Sequence, residues 1–467
     1  MNGKDKYRDF DGNGFDITQL QEWDQKHFMH PWAEMSSNKS KFDVITEGKG
    51  IYLYDSSGKK YIDGPGGMWC VNVGYGRKEI ASAVSNQLVQ LPYASPWTTT
   101  TEPSAILAKR ISEKTPGDLN NVFFSTCGST AVDTAIRFVH FYNNVQGKKN
   151  KKKIIAREKG YHGSTYLSAS VSGKERDKRD LDTDTNLVKF IPDVNPYRRP
   201  SNMSSESWCI EKINDLEICI QSVGPENVAA FIAEPVLASG GVIIPPKGYH
   251  KKAFEICRKY GVLYISDEVV TGFGRLGQWF ASDEVFGITP DIITCAKGLT
   301  SGYMPMGATI ISDRLINKLA DFSEEPTLFS NGYTYSGHPA AAAAANKNMD
   351  IIEDEKILEH VREVSPHFQN RLKMLGEKYD IIGDARGIGL LGCLEGDLGK
   401  NTSESDALSV DYKFSELVDA ATEKRGLFVR PIINMCVFSP PLIITKTEID
   451  IMFDILDDAL SEVQNSL

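Results

Sequence analysis

Residues 261–268 read GVLYISDE and residues 291–307 read DIITCAKGLTSGYMPMG. Each begins as a short apolar run rich in β-branched residues, the pattern of a strand buried on both faces. The first run stops at Asp267 and the second at Lys297, which opens a glycine-bearing turn. Parallel sheets present their ligands at the carboxyl ends of strands, so this pattern places an acid and an amine at one such edge. Together they suggest pyridoxal phosphate. That cofactor needs an amine for a Schiff base and a carboxylate that keeps its pyridine nitrogen protonated.

Working outward, further apolar runs alternate with helix-length segments: VFF at 122–124, KIIA at 153–156 and AAFIAEP at 229–235. The alternation predicts an α/β fold with a mostly parallel central sheet flanked by helices. Gly128-Ser129, Tyr161-His162 and Glu234 stand at or just after the ends of these runs, as Asp267 and Lys297 do. In STCGSTAVD, residues 125–133, a strand leads into an amphipathic helix whose free N–H groups can face a phosphate. Taken alone, the same stretch would serve as a plain N-capped turn. The six alanines Ala340–Ala345 after Gly337-His338-Pro339 mark a domain change. Residues 1–69 and 341–467 are expected to form a smaller α+β domain, and 70–340 the large cofactor-binding domain. The strand-like ITEGKGIYLYDSSGKKYID belongs to the first of these segments.

The 467 residues carry a formal charge of -10, which gives no long-range attraction for nucleic acid or an anionic membrane. The polar start MNGKDKYRDFDGNG has no apolar core, and no apolar stretch reaches membrane-spanning length, so a cytoplasmic address is expected. Eight cysteines are scattered without CxxC or Cys/His clustering, against a disulfide framework or a zinc site. No metal is expected. The basic run KKNKKK, 148–153, lacks interleaved aromatics and is expected to be a solvated loop.

The motifs YHGSTYLSAS (161–170), AEPVLASGG (233–241), SDEVVTGFGR (266–275), CAKGLTSGYMPMGA (295–308) and GYTYSGHPAA (332–341) occur in order. Together they resemble class III aminotransferases. DGPGGMWCVNVGYG (63–76) and GLFVRPIINMCVFSPPL (426–442) resemble the omega-amino acid or amine:pyruvate branch. The resemblance spans nearly the whole chain. It implies fold-type I of the pyridoxal phosphate enzymes and a homodimer with shared active sites, a tetramer being left open.

Carried over by this resemblance, Lys297 matches the Schiff-base lysine that then moves the substrate's proton, and Asp267 matches the partner of the pyridinium nitrogen. Val269 would pack on one face of the ring and Tyr161 on the other, with His162 beside it. Gly128 and Ser129 match the phosphate cup, and Glu234 the acid near the phenolic side. Thr334 resembles the threonine that reaches the phosphate in the neighbouring subunit. Trp69, Tyr93, Trp97, Tyr161 and Arg430 are the substrate-binding candidates, with Arg430 swinging in for a carboxylate and out for an uncharged amine. Many relatives carry Ser-Glu-Ala-Asn-Asp where this chain has Ser129-Thr130-Ala131-Val132-Asp133. The change puts any helix-start contact of the usual glutamate in doubt.

The resemblance implies ping-pong transamination from an amine donor to a keto acid, with pyruvate as acceptor. Taurine, β-alanine, 4-aminobutyrate, a polyamine and 1-phenylethylamine remain open as donors. Alternatives are an aminomutase or decarboxylase of the same fold, or a non-catalytic pyridoxal phosphate-binding protein.

Overall fold

Val228–Ala233 (VAAFIA) and Leu263–Asp267 (LYISD) are buried at every residue, as strands covered on both faces must be. The structure, a computed structural model, describes residues 16–32, 35, 42–322, 327–397 and 404–466, with 404–412 as backbone alone. A seven-stranded sheet runs in the order Leu119–Ser125, Gly307–Ser312, Ile292–Cys295, Leu263–Asp267, Val228–Ala233, Lys153–Arg157, Val188–Ile191. The last five of these are parallel to one another. Gly307–Ser312 runs antiparallel to both its neighbours.

Register sets where the chemistry falls. Asp267 pairs with Thr294 and Ala233 with Ser266, so Glu234, Asp267 and Lys297 leave the same edge of the sheet. Ser125 pairs with Gly307, and the next residue, Ala308, pairs with Cys295. The turn that opens helix Gly128–Val145 is thereby brought to that edge too. This helix buries Val132, Ala135, Ile136, Val139 and Tyr142, a spacing of three and four that lays one stripe on the sheet. Each such aliphatic burial contributes about 1.5–3 kcal/mol.

Two smaller four-stranded sheets complete the β structure among the described residues. In one, Ile45–Lys49, Tyr52–Asp55 and Lys60–Asp63 form an antiparallel meander, and Lys60–Asp63 also takes Leu427–Phe428 as a parallel partner. In the other, Arg430–Ile432 lies against Met435–Phe438, beside Leu391–Gly396 and Ile382–Ile388. The alanine-rich stretch is helical, Pro339–Asp354, and packs on helices Lys78–Gln90 and Glu102–Ser112. Ala340, Ala341, Ala342, Ala344 and Ala345 are buried, and their short side chains let the helices approach closely.

The basic run meets the expectation of a solvated loop at Lys148, Lys149 and Asn150, which are exposed, and departs from it at Lys151 and Lys152. Lys151 is buried with its ammonium on the Pro225 carbonyl (2.7 Å), and Lys152 reaches Asn144 Oδ1 (2.6 Å) and the His140 carbonyl (3.1 Å). These lysines close the turn between helix and strand by satisfying carbonyls, which periodicity cannot reveal. All eight cysteines are free. Among the described residues no helix is long and apolar enough to cross a membrane, and no group of His, Cys, Asp and Glu is arranged to hold a metal.

Candidate active site

The shared sheet edge opens into a cavity of about 550 Å³. Of the residues singled out in the sequence, Trp69, Gly128, Ser129, Tyr161, His162, Glu234, Asp267, Val269, Lys297 and Arg430 line it. Tyr93, Trp97 and Thr334 do not. They line a second cavity, where the Tyr93 hydroxyl donates to the Thr334 carbonyl (2.9 Å) and Trp97 is 87% exposed.

Lys297 follows strand Ile292–Cys295 in left-handed backbone, φ 47°, and Ser301 at the end of the same turn has φ 50°. Such conformations cost about 1–3 kcal/mol each without glycine and persist where surrounding contacts fix them. The buried Asn348 supplies those contacts from helix Pro339–Asp354. Its amide donates to the carbonyls of Gly298 (2.9 Å) and Leu299 (3.1 Å), while its Oδ1 accepts from the Ser301 hydroxyl (2.6 Å). The turn thus aims the amine into the cavity, 4.9 Å from the centre of the Trp69 ring. Desolvation lowers the pKa of Lys297, opposed chiefly by the negative charge of Asp267. An amine so placed can more readily become the neutral form that acts as nucleophile and base.

Asp267 and Glu268 take opposite roles. Asp267 Oδ1 accepts from Val269 N and Thr294 Oγ1, both at 3.2 Å, and Oδ2 lies 2.6 Å from His162 Nδ1. A carboxylate can only accept, so the imidazole donates and fixes the carboxylate's orientation. Glu268 is turned away into the protein, where it accepts from Ala281 N (2.7 Å), Ser282 N (2.8 Å) and Thr271 Oγ1 (2.9 Å). Glu234 accepts from Tyr161 N (2.9 Å) and Ala238 N (3.0 Å) and so pins the backbone that carries Tyr161. Burial raises the pKa of Glu234.

Gly128 stands where an added Cβ would lie 3.0 Å from Val269 Cγ1, a tight contact that glycine avoids. Ser129 Oγ accepts from Ser164 N (3.1 Å), which leaves its own hydrogen free to donate. Thr130 resolves the doubt about the missing glutamate. Its Oγ1 accepts from Cys127 N (3.0 Å) and Thr126 N (3.2 Å), the contacts a glutamate makes in a capping box. Val132, where relatives carry an amide, is fully buried among Ala135, Ile136 and Val139.

Among the described residues, three buried groups on residues of the cavity wall have no hydrogen-bond partner: Trp69 Nε1, Ser239 Oγ and Arg430 Nε. Buried donors are rarely left unpaired, so these three residues are places where the wall has hydrogen-bonding capacity to spare. A helix N-terminus with Gly128 and Ser129 suits a phosphate, Asp267 a protonated ring nitrogen, and Tyr161 with Val269 a flat ring. The residues present therefore fit pyridoxal phosphate. Lys174 and Asn348, which the motifs did not single out, belong to this neighbourhood as well. Neither has a local signature, because each reaches it from a segment remote from the sheet strands.

Residues 35–460 match the family described as Aminotransferase class-III. A putrescine–pyruvate aminotransferase of Pseudomonas aeruginosa is 39% identical over 91% of this chain and 92% of its own. A mitochondrial gamma-aminobutyrate transaminase of Oryza sativa subsp. indica is 40% identical over 90% of this chain and 81% of its own. Among solved structures, a thermostable (S)-enantioselective omega-transaminase from Thermomicrobium roseum superposes with a TM-score of 0.91 at 33% identity, covering 96% of this chain and 99% of that one. The match over nearly the whole length, on the site described above, places this chain in the class III aminotransferases, enzymes that work with pyridoxal 5'-phosphate.

Proposed function

We propose that the enzyme moves the amino group of an omega-amino acid or amine to pyruvate, giving an aldehyde or ketone and alanine by a ping-pong route. The observation that carries this reading is the meeting of a desolvated lysine, an imidazole-backed carboxylate and a helix N-terminus around one cavity. Bound pyridoxal phosphate supplies the electron sink for the carbanion left when the donor carbon loses its proton. Lys297 Nζ takes that proton and returns it one atom further on. Asp267, oriented by His162, holds the proton on the pyridine nitrogen. The N–H groups of Gly128 and Ser129 bind the phosphate, and Tyr161 and Val269 hold the ring plane between them. Trp69 forms an apolar wall that keeps water from the reacting carbon. Arg430 takes the carboxylate of the keto acid bidentately. We also assign residues 70–340 as the cofactor-binding domain and 1–69 with 341–467 as the small domain, supported by the pairing of Lys60–Asp63 with Leu427–Phe428. A homodimer with a shared site gives Thr334, Tyr93 and Trp97 their place, supported by their exposure away from the cavity of their own chain.

The test is spectroscopic. Addition of at least one of 4-aminobutyrate, β-alanine, taurine, putrescine and 1-phenylethylamine to the holoenzyme should bleach the visible cofactor band, and pyruvate should restore it with formation of alanine. Restoration by another keto acid and not by pyruvate would overturn the acceptor and leave aminotransfer standing. Arg430→Ala should raise the KM for pyruvate about 10- to 100-fold, the worth of a charge-assisted pair. Its effect on the 1-phenylethylamine half-reaction should be far smaller, and equal losses for both would remove Arg430 from acceptor binding.

A further inference from the structure

The mouth of the cavity carries an excess of unanswered positive charge. Arg176 and Asp177 on its rim pair with each other at 3.1 Å. Each acid deeper in is engaged: Glu234 by two backbone N–H groups, and Asp267 by His162, Val269 and Thr294. Lys174 and Arg430 also line the cavity, and neither makes an ion pair or side-chain hydrogen bond with any described residue. Lys174 Nζ instead sits 5.6 Å from the centre of the Tyr161 ring, within cation–π range.

The lysine is held there by its backbone. Gly173 N donates to the Gly160 carbonyl (2.8 Å), and Lys159 N donates to the Gly173 carbonyl (3.0 Å). An added Cβ at Gly173 would overlap the Arg157 carbonyl, so the segment ahead of Lys174 is pressed directly onto the turn that carries Tyr161. The loss of hydration, with lesser repulsion from Arg176 and Arg430, brings the Lys174 pKa down to about 8 despite the attraction of Asp177 and Glu234. A half-buried cation with no counter-ion in contact is disfavoured, and an anionic ligand relieves that cost.

Resting on the aminotransfer reading above, we propose that Lys174 binds the distal carboxylate or sulfonate of an omega-amino acid donor, and that the site disfavours polyamines. Two cations suit two ligand lengths. A keto acid carries its carboxylate directly on the reacting carbon, which is the task assigned to Arg430. An omega-amino acid carries its anion two or more carbons from the carbon that reacts, and needs a separate anchor. A diamine would instead bring its second ammonium against Lys174 and Arg430 together, and like charges in a partly desolvated site repel strongly.

The experiment compares 4-aminobutyrate with n-butylamine, its counterpart without the anion, and with putrescine, each in the donor half-reaction of the full-chain holoenzyme. Wild type should favour 4-aminobutyrate over both. In Lys174→Met the ratio of 4-aminobutyrate to n-butylamine efficiency should fall about 10- to 100-fold, as loss of a charge-assisted contact predicts, and Lys174→Arg should restore most of it. Butyrate, which cannot react, should bind the holoenzyme about tenfold more weakly after Lys174→Met, a readout independent of turnover. Putrescine preferred by wild type, or equal losses for all donors in Lys174→Met, would overturn the inference and leave aminotransfer intact. A loss confined to 2-oxoglutarate as acceptor would also overturn it, moving Lys174 to the other half-reaction. No response of the band to any donor or keto acid would sink both readings together.

Discussion

Lys297→Ala should cut transamination about a thousandfold or more and remove the visible band of the covalently held cofactor, while the protein still folds and still retains phosphate. The size follows from the two tasks that fall on one atom. Nζ is the nucleophile that attaches the cofactor and the base that moves the substrate's proton, and proton transfer by a placed side chain alone is worth about 10²–10⁴-fold. No other amine is positioned to substitute. Lys174 faces the same cavity, but its ammonium sits over the ring of Tyr161. Retention of phosphate is expected because the cup is built from Gly128, Ser129 and the helix behind them, away from the lysine turn. Rapid-quench measurement of alanine formation, with equilibrium dialysis of the cofactor, checks both halves. Transamination within tenfold of wild type would remove Lys297 from its central role.

Asp267→Asn should lower kcat/KM about 10²–10³-fold, the usual loss when a preorganised charge at the developing electron density is removed. The amide keeps the shape of the carboxylate and can still accept from His162 Nδ1, so the fold is spared. It cannot hold the pyridine nitrogen in its protonated form, and the electron sink weakens. His162→Ala should act in the same direction but less, since it frees the carboxylate to rotate without removing its charge. Stopped-flow half-reactions with wild type, Asp267→Asn and His162→Ala give this order directly. A smaller loss in Asp267→Asn than in His162→Ala would make the imidazole, not the acid, the group that matters.

Much of this was legible in the sequence because parallel strands announce themselves as short apolar runs and place their next residues at one edge. Asp267, Glu234 and Lys297 follow directly from that rule, and the motifs supplied Arg430 and Trp69. The apolar pattern alone does not separate Asp267 from Glu268, since it does not say which side holds the ligand, and it was the resemblance that singled out Asp267. Asn348 and Lys174 were missed for a different reason. Asn348 acts on carbonyls of a turn distant in the chain, and Lys174 meets the ring of Tyr161 through two turns pressed together, and hydrophobic spacing encodes neither contact. The lysines at 151 and 152 show the converse error, in which part of a run that looks solvated is spent on half-buried carbonyls.

The sheet order also dictates when the enzyme can come into being. Leu119–Ser125 is an edge strand whose partner in the sheet is Gly307–Ser312, and that partner must itself dock on Ile292–Cys295. The parallel block from residue 153 to residue 295 can assemble as it leaves the ribosome and can take the helix Gly128–Val145 onto its face, but the earlier strand Leu119–Ser125 must wait beside it with its pairing groups open. Non-local closure of this kind slows folding and exposes an unpaired edge to other nascent chains. Slower synthesis at lower temperature should therefore raise the yield of native protein, because the strand that leads into the helix at Gly128 has no partner in the sheet until Gly307–Ser312 has been made.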